Sequence, residues 1–185
     1  MKIIVAPNPI LTTPALPVLE INHKIKSLGN RLINALANKG IGLAAPQIGY
    51  DQAVFVLSLP QRQPEIFINP AILDYSSPKQ HFLLEENDHD SDHSLQPFLE
   101  GCLSLPNLYG AVKRWPTIKI QRFSLNGKKT KKVLTGLEAI VFQHELDHLN
   151  GRLFIQRVIR EKGQLFCNED NQLKKISPQK LGFPL

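Results

Sequence analysis

Two histidines four residues apart, His144 and His148, suggest a metal site directly from their spacing. On an α-helix, residues four apart lie on the same face, so both imidazoles can reach one divalent ion such as zinc or iron. Glu145 follows His144, as in the His-Glu-x-x-His motif, where this carboxylate acts as general base beside the metal-bound water. The segment therefore predicts a hydrolytic metal site, against the alternative of a structural helix that carries the pattern by chance.

The sequence offers several third ligands to complete such a site. In metzincin endopeptidases a third histidine follows the second by six residues, but Phe154 occupies that position, and Glu169 lies in a tail without a clear pattern. Cys102 is the better candidate, because a thiolate beside a cation has a lowered pKa and one Cys with two His leaves a fourth position for water. A buried, inert thiol is the alternative for Cys102.

The composition is that of an ordinary globular chain. Its 185 residues fit a single domain, 42% of them are hydrophobic, and the net charge is +6. No apolar run approaches the roughly 20 residues of a membrane helix, and early prolines argue against a secretory signal. We therefore expect a cytoplasmic protein whose two cysteines, Cys102 and Cys167, are free thiols, unless a removed transit segment directs it to an organelle.

Local patterns predict the elements that must position these residues. Apolar spacing predicts an amphipathic helix over residues 22–39, capped by Asn22, and Asn126-Gly127 predicts an antiparallel hairpin. Thr135 and Glu138 form a capping-box pattern, so the helix of the histidines should begin there and end near residue 150. Further strands are predicted over residues 53–59, 65–69 and 153–159, with the hairpin strands at 117–124 and 128–134.

Two segments have an unusual charge. Residues 76–97 are rich in acidic residues, histidine and serine, which predicts an exposed, flexible insertion; its histidines could bind metal, but a solvated loop explains them equally well. Basic residues cluster around the hairpin, where a solvated face is favoured over RNA or ribosome contact. These residues are Lys113, Arg114, Lys119, Arg122, Lys128, Lys129, Lys131 and Lys132.

Three stretches resemble a known family. Residues 40–47 read Gly-Ile-Gly-Leu-Ala-Ala-Pro-Gln, residues 100–104 read Glu-Gly-Cys-Leu-Ser, and residues 143–148 read Gln-His-Glu-Leu-Asp-His. In this order they resemble the three signature motifs of the peptide deformylases. The resemblance extends from the N-terminal arm to about Phe154, interrupted by the insertion, and fades in the tail.

The resemblance implies a fold and an activity. The fold would be α+β, with antiparallel β-sheets packed around a central metal-binding α-helix and one further N-terminal helix, in a single catalytic domain over residues 1–185. The activity would be removal of the formyl group from the N-terminal formylmethionine of nascent chains, with release of formate. The chain would act as a monomer, with transient ribosome contact and no membrane.

The resemblance also implies residue roles. Cys102, His144 and His148 would hold one divalent ion, natively Fe²⁺, with Zn²⁺, Ni²⁺ or Co²⁺ as other occupants. Glu145 would pass the proton from metal-bound water to the leaving amine, while Gln47 and the backbone N–H of Leu103 would donate to the oxyanion. The remaining residues implied are those that bind substrate: Ile41, Gly42, Glu100, Gly110, Ile140 and Val141.

The sequence departs from the family pattern at one position near the expected substrate pocket. Two functions other than deformylation also stay open. Tyr109 stands where many family members carry an arginine at the pocket mouth, and a Glu100–Arg114 pair would lie beneath that pocket. The alternatives are another metallohydrolase, such as an aminopeptidase, and a relative that binds metal or peptide without catalysis. Glu145 and Gln47 argue against mere binding, since binding requires neither a base nor an oxyanion donor.

Overall fold

Two antiparallel sheets and a central helix form the architecture of this computed structural model, which describes residues 2–76, 78–84 and 96–181. The five-stranded sheet has the order β1-β2-β3-β8-β9, and the four-stranded sheet has the order β11-β10-β7-β6. The helices are α1 (His23–Leu36), α2 (Gly136–Leu149) and α3 (Phe154–Arg160). The strands are β1 (Gly42–Ala44), β2 (Val54–Leu57), β3 (Glu65–Ser76), β4 (Leu83–Leu84), β5 (Gln96–Pro97), β6 (Leu99–Cys102), β7 (Leu105–Ala111), β8 (Thr117–Phe123), β9 (Lys129–Thr135), β10 (Leu165–Glu169) and β11 (Gln172–Ile176). The predicted α+β fold is confirmed.

Helix α2 is central because apolar side chains cover more than one of its faces. Phe142 is fully buried and packs edge-on against Phe55 and Phe67 of the five-stranded sheet, with ring centroids 5.2 and 5.5 Å away. Val141 and Leu149 belong to the same core cluster. A helix that is apolar on several faces is buried rather than half-exposed. This burial holds the backbone of the His-Glu-x-x-His segment in one position.

The flanking elements largely follow the predictions. Asn22 caps α1 by accepting hydrogen bonds at Oδ1 from the backbone N–H of Lys24 and Ile25, 3.0 and 3.4 Å away. The hairpin around Asn126-Gly127 is confirmed as β8 and β9. Strand β3 continues to Ser76, beyond the predicted end, because Asn69 adopts a positive φ of 46° at an irregularity that also accommodates Pro70.

Two local predictions were wrong, and the tail contains strands that no sequence pattern predicted. Residues 153–159 form helix α3 rather than a strand, because Phe154, Ile155 and Val158 recur at helical spacing and are buried together. The tail without a clear pattern contains the antiparallel pair β10 and β11. The bounds predicted for α2 are confirmed, with Thr135 as its N-cap, but the capping box is absent: the Thr135 side chain makes no cap hydrogen bond, and Glu138 contacts Arg62 and Lys132.

The predicted insertion over residues 76–97 is described only in part. Strands β4 and β5 pair near its two ends, and the stretch that includes His89 and His93 lies outside the described residues. Phe82 and Phe98 pack edge-on beside this pair, with centroids 6.2 Å apart. Among the described residues, no helix has the length and apolar character needed to cross a bilayer.

Candidate metal centre

Helix α2 and strand β6 together position three side chains that could hold a metal ion. Their ligand atoms, one each from Cys102, His144 and His148, all lie within 4.8 Å of one another. The Sγ of Cys102 is 3.2 Å from Nε2 of His148. Cys102 ends β6 at a register shift after Gly101, which turns the chain toward α2. The three residues predicted as ligands are therefore adjacent in space.

The orientation of His144 is fixed by an ion-paired carboxylate. Its Nδ1–H donates to Oε2 of Glu100 at 2.9 Å, which leaves Nε2 for a metal ion. Arg114 binds Glu100 through two hydrogen bonds, from Nε at 2.7 Å and from Nη2 at 2.8 Å. Glu100 and Arg114 are 4% and 2% exposed. The Glu100–Arg114 pair expected beneath the pocket is present, and it supports the first ligand.

The electrostatics favour an ionised thiol. Burial raises the pKa of the Cys102 thiol, but the nearby imidazoles of His148 and His144 outweigh burial and lower it to about 5. Burial also raises the pKa of Glu100, but Arg114 and His144 bring it down to about 2. A thiolate is the form of cysteine that binds metal. Both anions are therefore charged at neutral pH, as a cation site requires.

Glu145 is buried beside these residues, and within the part of the chain that the structure describes it forms no ion pair. Burial raises its pKa to about 7, with the two histidines acting in the opposite direction. Its Oε2 has no hydrogen-bond partner among the described residues. A carboxyl group in this state can accept and donate a proton near neutral pH. The soft donor set and this unpartnered oxygen fit a divalent ion with an activated water.

Gln47 faces the same centre from the short 3-10 helix after β1. Its Oε1 accepts a hydrogen bond from the backbone N–H of Ala44 at 2.8 Å, which orients the amide. Its Nε2 donates to Oγ of Ser104 at 3.1 Å and lies 3.6 Å from the Sγ of Cys102. The amide N–H₂ therefore faces Cys102 and Ser104 at the edge of the centre.

A cavity of about 370 Å³ opens at the centre. Leu103, implied as an oxyanion donor, lines it together with five of the six residues implied as substrate-binding: Ile41, Gly42, Glu100, Ile140 and Val141. Gly110 is different, because it lies buried on β7 under α3, where an added Cβ would come within 2.6 Å of Val158. The substrate contact expected for Gly110 stays a prediction.

Several further residues of the cavity were not expected from the sequence to bind substrate, among them Phe98, Lys39 and Tyr109. Phe98 comes from the end of the insertion, and Lys39 and Tyr109 lie with it along the cavity lining. Phe98 carried no sequence signal, because it stands next to a stretch without periodicity. Tyr109 was noted only as a departure from the family pattern.

The cavity lies between two terminal strands. β1 is the first strand of the five-stranded sheet and β6 is the last of the four-stranded sheet, and Gly42, Glu100 and Gly101 of these strands line the cavity. A terminal strand keeps one row of backbone N–H and C=O groups free to pair with another chain. The site can therefore bind an extended peptide through its backbone.

The chain was compared with protein families and with curated proteins. The family model for polypeptide deformylase matches residues 1–164. A peptide deformylase of Psychrobacter cryohalolentis is 36% identical over 165 residues, which cover 88% of this chain and 81% of that protein. One from Desulforudis audaxviator is 34% identical over 157 residues, covering 84% of this chain and 92% of that protein.

Solved structures agree with these matches. The peptide deformylase of Thermotoga maritima superposes with a TM-score of 0.72 at 34% identity, covering 84% of this chain and 95% of that one. The Synechococcus elongatus enzyme, crystallised in complex with actinonin, has a TM-score of 0.73 at 30% identity and covers 85% and 78% of the two chains. The likeness therefore extends over most of the fold.

Proposed function

The chain belongs to the polypeptide deformylase family, and we propose that Cys102, His144 and His148 hold the metal ion with which it works. As a member, it is a metallohydrolase that removes the N-formyl group from the N-terminal formylmethionine of new polypeptides and releases formate. The observation that carries the residue assignment is the convergence of three ligand atoms within 4.8 Å at the floor of the cavity.

The donor set fits one divalent ion, and we propose Fe²⁺ as its native identity, with Zn²⁺, Ni²⁺ or Co²⁺ as other occupants. One thiolate and two imidazoles suit all of these ions. When bound, such an ion supplies the Lewis acidity that activates water and polarises a carbonyl group. Metal analysis of the purified protein identifies the occupant.

Glu145 is the proposed proton carrier. Its carboxylate takes a proton from the attacking water and delivers it to the amide nitrogen as the bond from carbon to nitrogen breaks. Water and the formyl amide are thereby converted into formate and a free amine. Nε2 of Gln47 and the backbone N–H of Leu103 donate to the oxyanion, a contribution of roughly 3 kcal/mol per donor in comparable sites.

The apolar part of the cavity wall supports a proposed site for the methionine side chain of the substrate. Ile41, Ile140 and Val141 present apolar surface next to the ligands, so they surround the methionine side chain in the proposed complex. Gly42 and Glu100 lie on the two terminal strands and flank the substrate backbone. The methionine is thus held by apolar contact and the peptide by its main chain.

Formate release tests the assignment. The Ni²⁺ or Fe²⁺ form should release formate from formyl-Met-Ala-Ser and leave the peptide bonds intact. Free methionine, or no formate from a metal-loaded sample, would contradict it. Cys102→Ala should lose the metal, because two histidines rarely retain it, whereas Cys167→Ala is the matched control and should keep both metal and activity.

Glu145→Ala tests the proton role separately from the ligand set. It should lower kcat by at least about a hundredfold, a typical contribution of general acid–base catalysis, while the metal stays bound. Full activity in this variant would disprove the role given to Glu145.

The cellular setting is also part of the proposal. Relatives from bacteria support a cytoplasmic protein of bacterial type, and the substrate, a nascent chain, supports monomeric action with transient ribosome contact. Exposed lysines on β8 and β9, including Lys119, Lys129 and Lys131, supply positive charge for such contact. Cosedimentation with ribosomes that weakens with salt would support it; no cosedimentation at low salt would oppose it.

A further inference from the structure

A row of alternating charges runs from helix α3 to the metal-site histidine. Arg157 of α3 binds Asp147 of α2 through two hydrogen bonds, from Nε to Oδ2 and from Nη2 to Oδ1, each 2.5 Å. Oδ2 of Asp147 also accepts from Nη1 of Arg114 at 2.5 Å. Arg114 binds Glu100, and Glu100 accepts from Nδ1–H of His144. Two cations and two anions thus alternate up to the ligand.

We propose that Arg157 is a positioning residue of the metal centre, acting through Asp147, Arg114 and Glu100 on His144. The inference rests on the proposed ligand role of His144. Arg157 itself is absent from the cavity lining, and it touches none of the three ligands in the contacts of the described residues. By pairing with Asp147, Arg157 allows Arg114 to keep its hydrogen bonds to Glu100.

Charge balance explains why Arg157 matters. Arg114 donates to both Glu100 and Asp147, and these two carboxylates are each 4% exposed. With Arg157 present, each buried carboxylate has charge compensation. Without it, Asp147 would depend on Arg114 alone and would draw the guanidinium away from Glu100, because an uncompensated buried charge is strongly unfavourable. A displaced Glu100 would release the Nδ1 of His144.

A second contact from α3 reaches the same histidine. The ring of Phe154 stacks on the imidazole of His144 at a centroid distance of 6.2 Å and an interplanar angle of 28°. Phe154 and Arg157 are three residues apart, so they lie on the same face of α3. Phe154 therefore limits tilting of the imidazole, while the charge row limits its rotation. Helix α3 therefore restrains both the tilt and the rotation of the His144 imidazole.

The test compares Zn²⁺ affinity in the wild type, Arg157→Leu, Arg157→Lys and Arg160→Leu, using a competing fluorescent chelator and no substrate. Arg157→Leu should bind Zn²⁺ at least about tenfold more weakly, the range found for residues that support metal ligands. Arg157→Lys keeps the charge without the paired hydrogen bonds and should be intermediate. Arg160, exposed on the same helix, is the matched control, and its variant should bind like the wild type.

A merely structural role makes a different prediction. In that case Arg157→Leu would lower the melting temperature and leave the Zn²⁺ affinity of the folded protein unchanged, which would overturn the proposal. The ¹⁵N spectrum of the imidazole in the metal-free protein gives an independent readout. Arg157→Leu should change the tautomer signal of His144, and an unchanged signal would also count against the proposal.

Arg157→Lys decides the question if the leucine variant does not fold. An affinity equal to that of the wild type would then refute the positioning role, and a several-fold loss would support it. Because Zn²⁺ binding is measured without substrate, the result is separate from the activity assignment. Wild-type protein that binds Zn²⁺ but releases no formate in its Ni²⁺ form would contradict the proposed function alone.

Discussion

At the scale of single residues, the close approach of Gly42 to Glu145 has a measurable consequence. A Cβ added at Gly42 would overlap Oε1 of Glu145 and come within 2.9 Å of Cγ1 of Val141. Gly42→Ala should therefore displace the proton carrier and lower kcat/KM by about a hundredfold, since small misplacements of catalytic groups can have effects of that size. Formate-release kinetics provide the measurement.

Gly40→Ala is the matched control for this prediction. Its Cβ would meet nothing closer than 3.6 Å, an ordinary contact distance, so it should lose much less activity. Equal losses in both variants would show that the segment tolerates no side chain at all and that Glu145 is not the reason.

The sequence contains enough information to find the residues proposed to do chemistry and too little to find those proposed to support them. Cys102, His144 and Glu145 stand out because their residue types are uncommon in such spacings. Phe98 and Arg157 do not, because an aromatic or an arginine has many ordinary roles. Their placement depends on how the insertion and α3 pack, which is a tertiary property.

At the scale of secondary structure elements, the cap of α1 gives a prediction about stability. Oδ1 of Asn22 accepts from two backbone N–H groups of the first turn. Asn22→Ala should lower the free energy of unfolding by about 1 kcal/mol, the typical value for a lost N-cap. Urea unfolding measures this, with exposed Asn30→Ala on the same helix as control. Because alanine has a higher helix propensity than asparagine, Asn30→Ala should lose no stability, and an equal loss there would show that the effect of Asn22→Ala is not specific to the cap.

The start of α2 is tied to the five-stranded sheet by charge. Oε2 of Glu138 accepts from Nη1 of Arg62 at 2.8 Å, and Oε1 accepts from Nζ of Lys132 at 2.7 Å. Burial raises the pKa of Glu138, but these two cations outweigh burial and lower it below its usual value. The stabilisation is therefore fully present above the ordinary pKa of glutamate and is lost as the pH falls through the lower, folded-state pKa.

Glu138→Gln should remove this stabilisation. At pH 7 the free energy of unfolding should fall by about 0.5 kcal/mol, as for partly exposed ion pairs. The difference between variant and wild type should shrink as the pH is lowered below the ordinary pKa of glutamate. Urea unfolding across this pH range is the measurement, with the exposed Glu20→Gln as control; a difference that grows in acid would contradict the assigned sign.

Secondary structure elements were predictable where a turn or a cap, formed by adjacent residues, sets their limits. Asn126-Gly127 sets the hairpin of β8 and β9, and Asn22 sets the start of α1, because turns and caps depend on adjacent residues. Helix α3 was mistaken for a strand because Phe154, Ile155, Val158 and Ile159 are residues that favour strands. Seven residues are too short a window for the helical spacing of Phe154, Ile155 and Val158 to decide between helix and strand, and packing of the buried face against the four-stranded sheet makes the difference.

At the scale of the whole molecule, the proposed metal centre would join two sheets. Cys102 belongs to the four-stranded sheet, whereas α2, with both histidines, packs on the five-stranded one. Metal removal by a chelator should therefore lower the melting temperature. Metal at a hundred times its dissociation constant should add about 2.7 kcal/mol to the free energy of unfolding. In Cys102→Ala the added metal should have little effect, and full stabilisation there would exclude the thiol as a ligand.

Burial and ion pairing reduce the basic surface that the composition suggests. The sequence groups eight basic residues around the hairpin. In the structure Arg114 is buried in the row that supports His144, and Arg122 and Lys132 pair with Glu65 and other carboxylates. The basic surface is thus smaller than the sequence implies, because sequence counts charges without their partners.

The two terminal strands beside the cavity, β1 and β6, also limit the period during which a substrate can bind. A polypeptide that pairs with either edge must be extended, so the first residues of a substrate have to arrive unfolded. Helices relax in about 0.1–1 μs and hairpins in about 1–10 μs once the chain is free. Deformylation is consequently in kinetic competition with the folding of the substrate's own N-terminus, and it is favoured while the chain is still being synthesised.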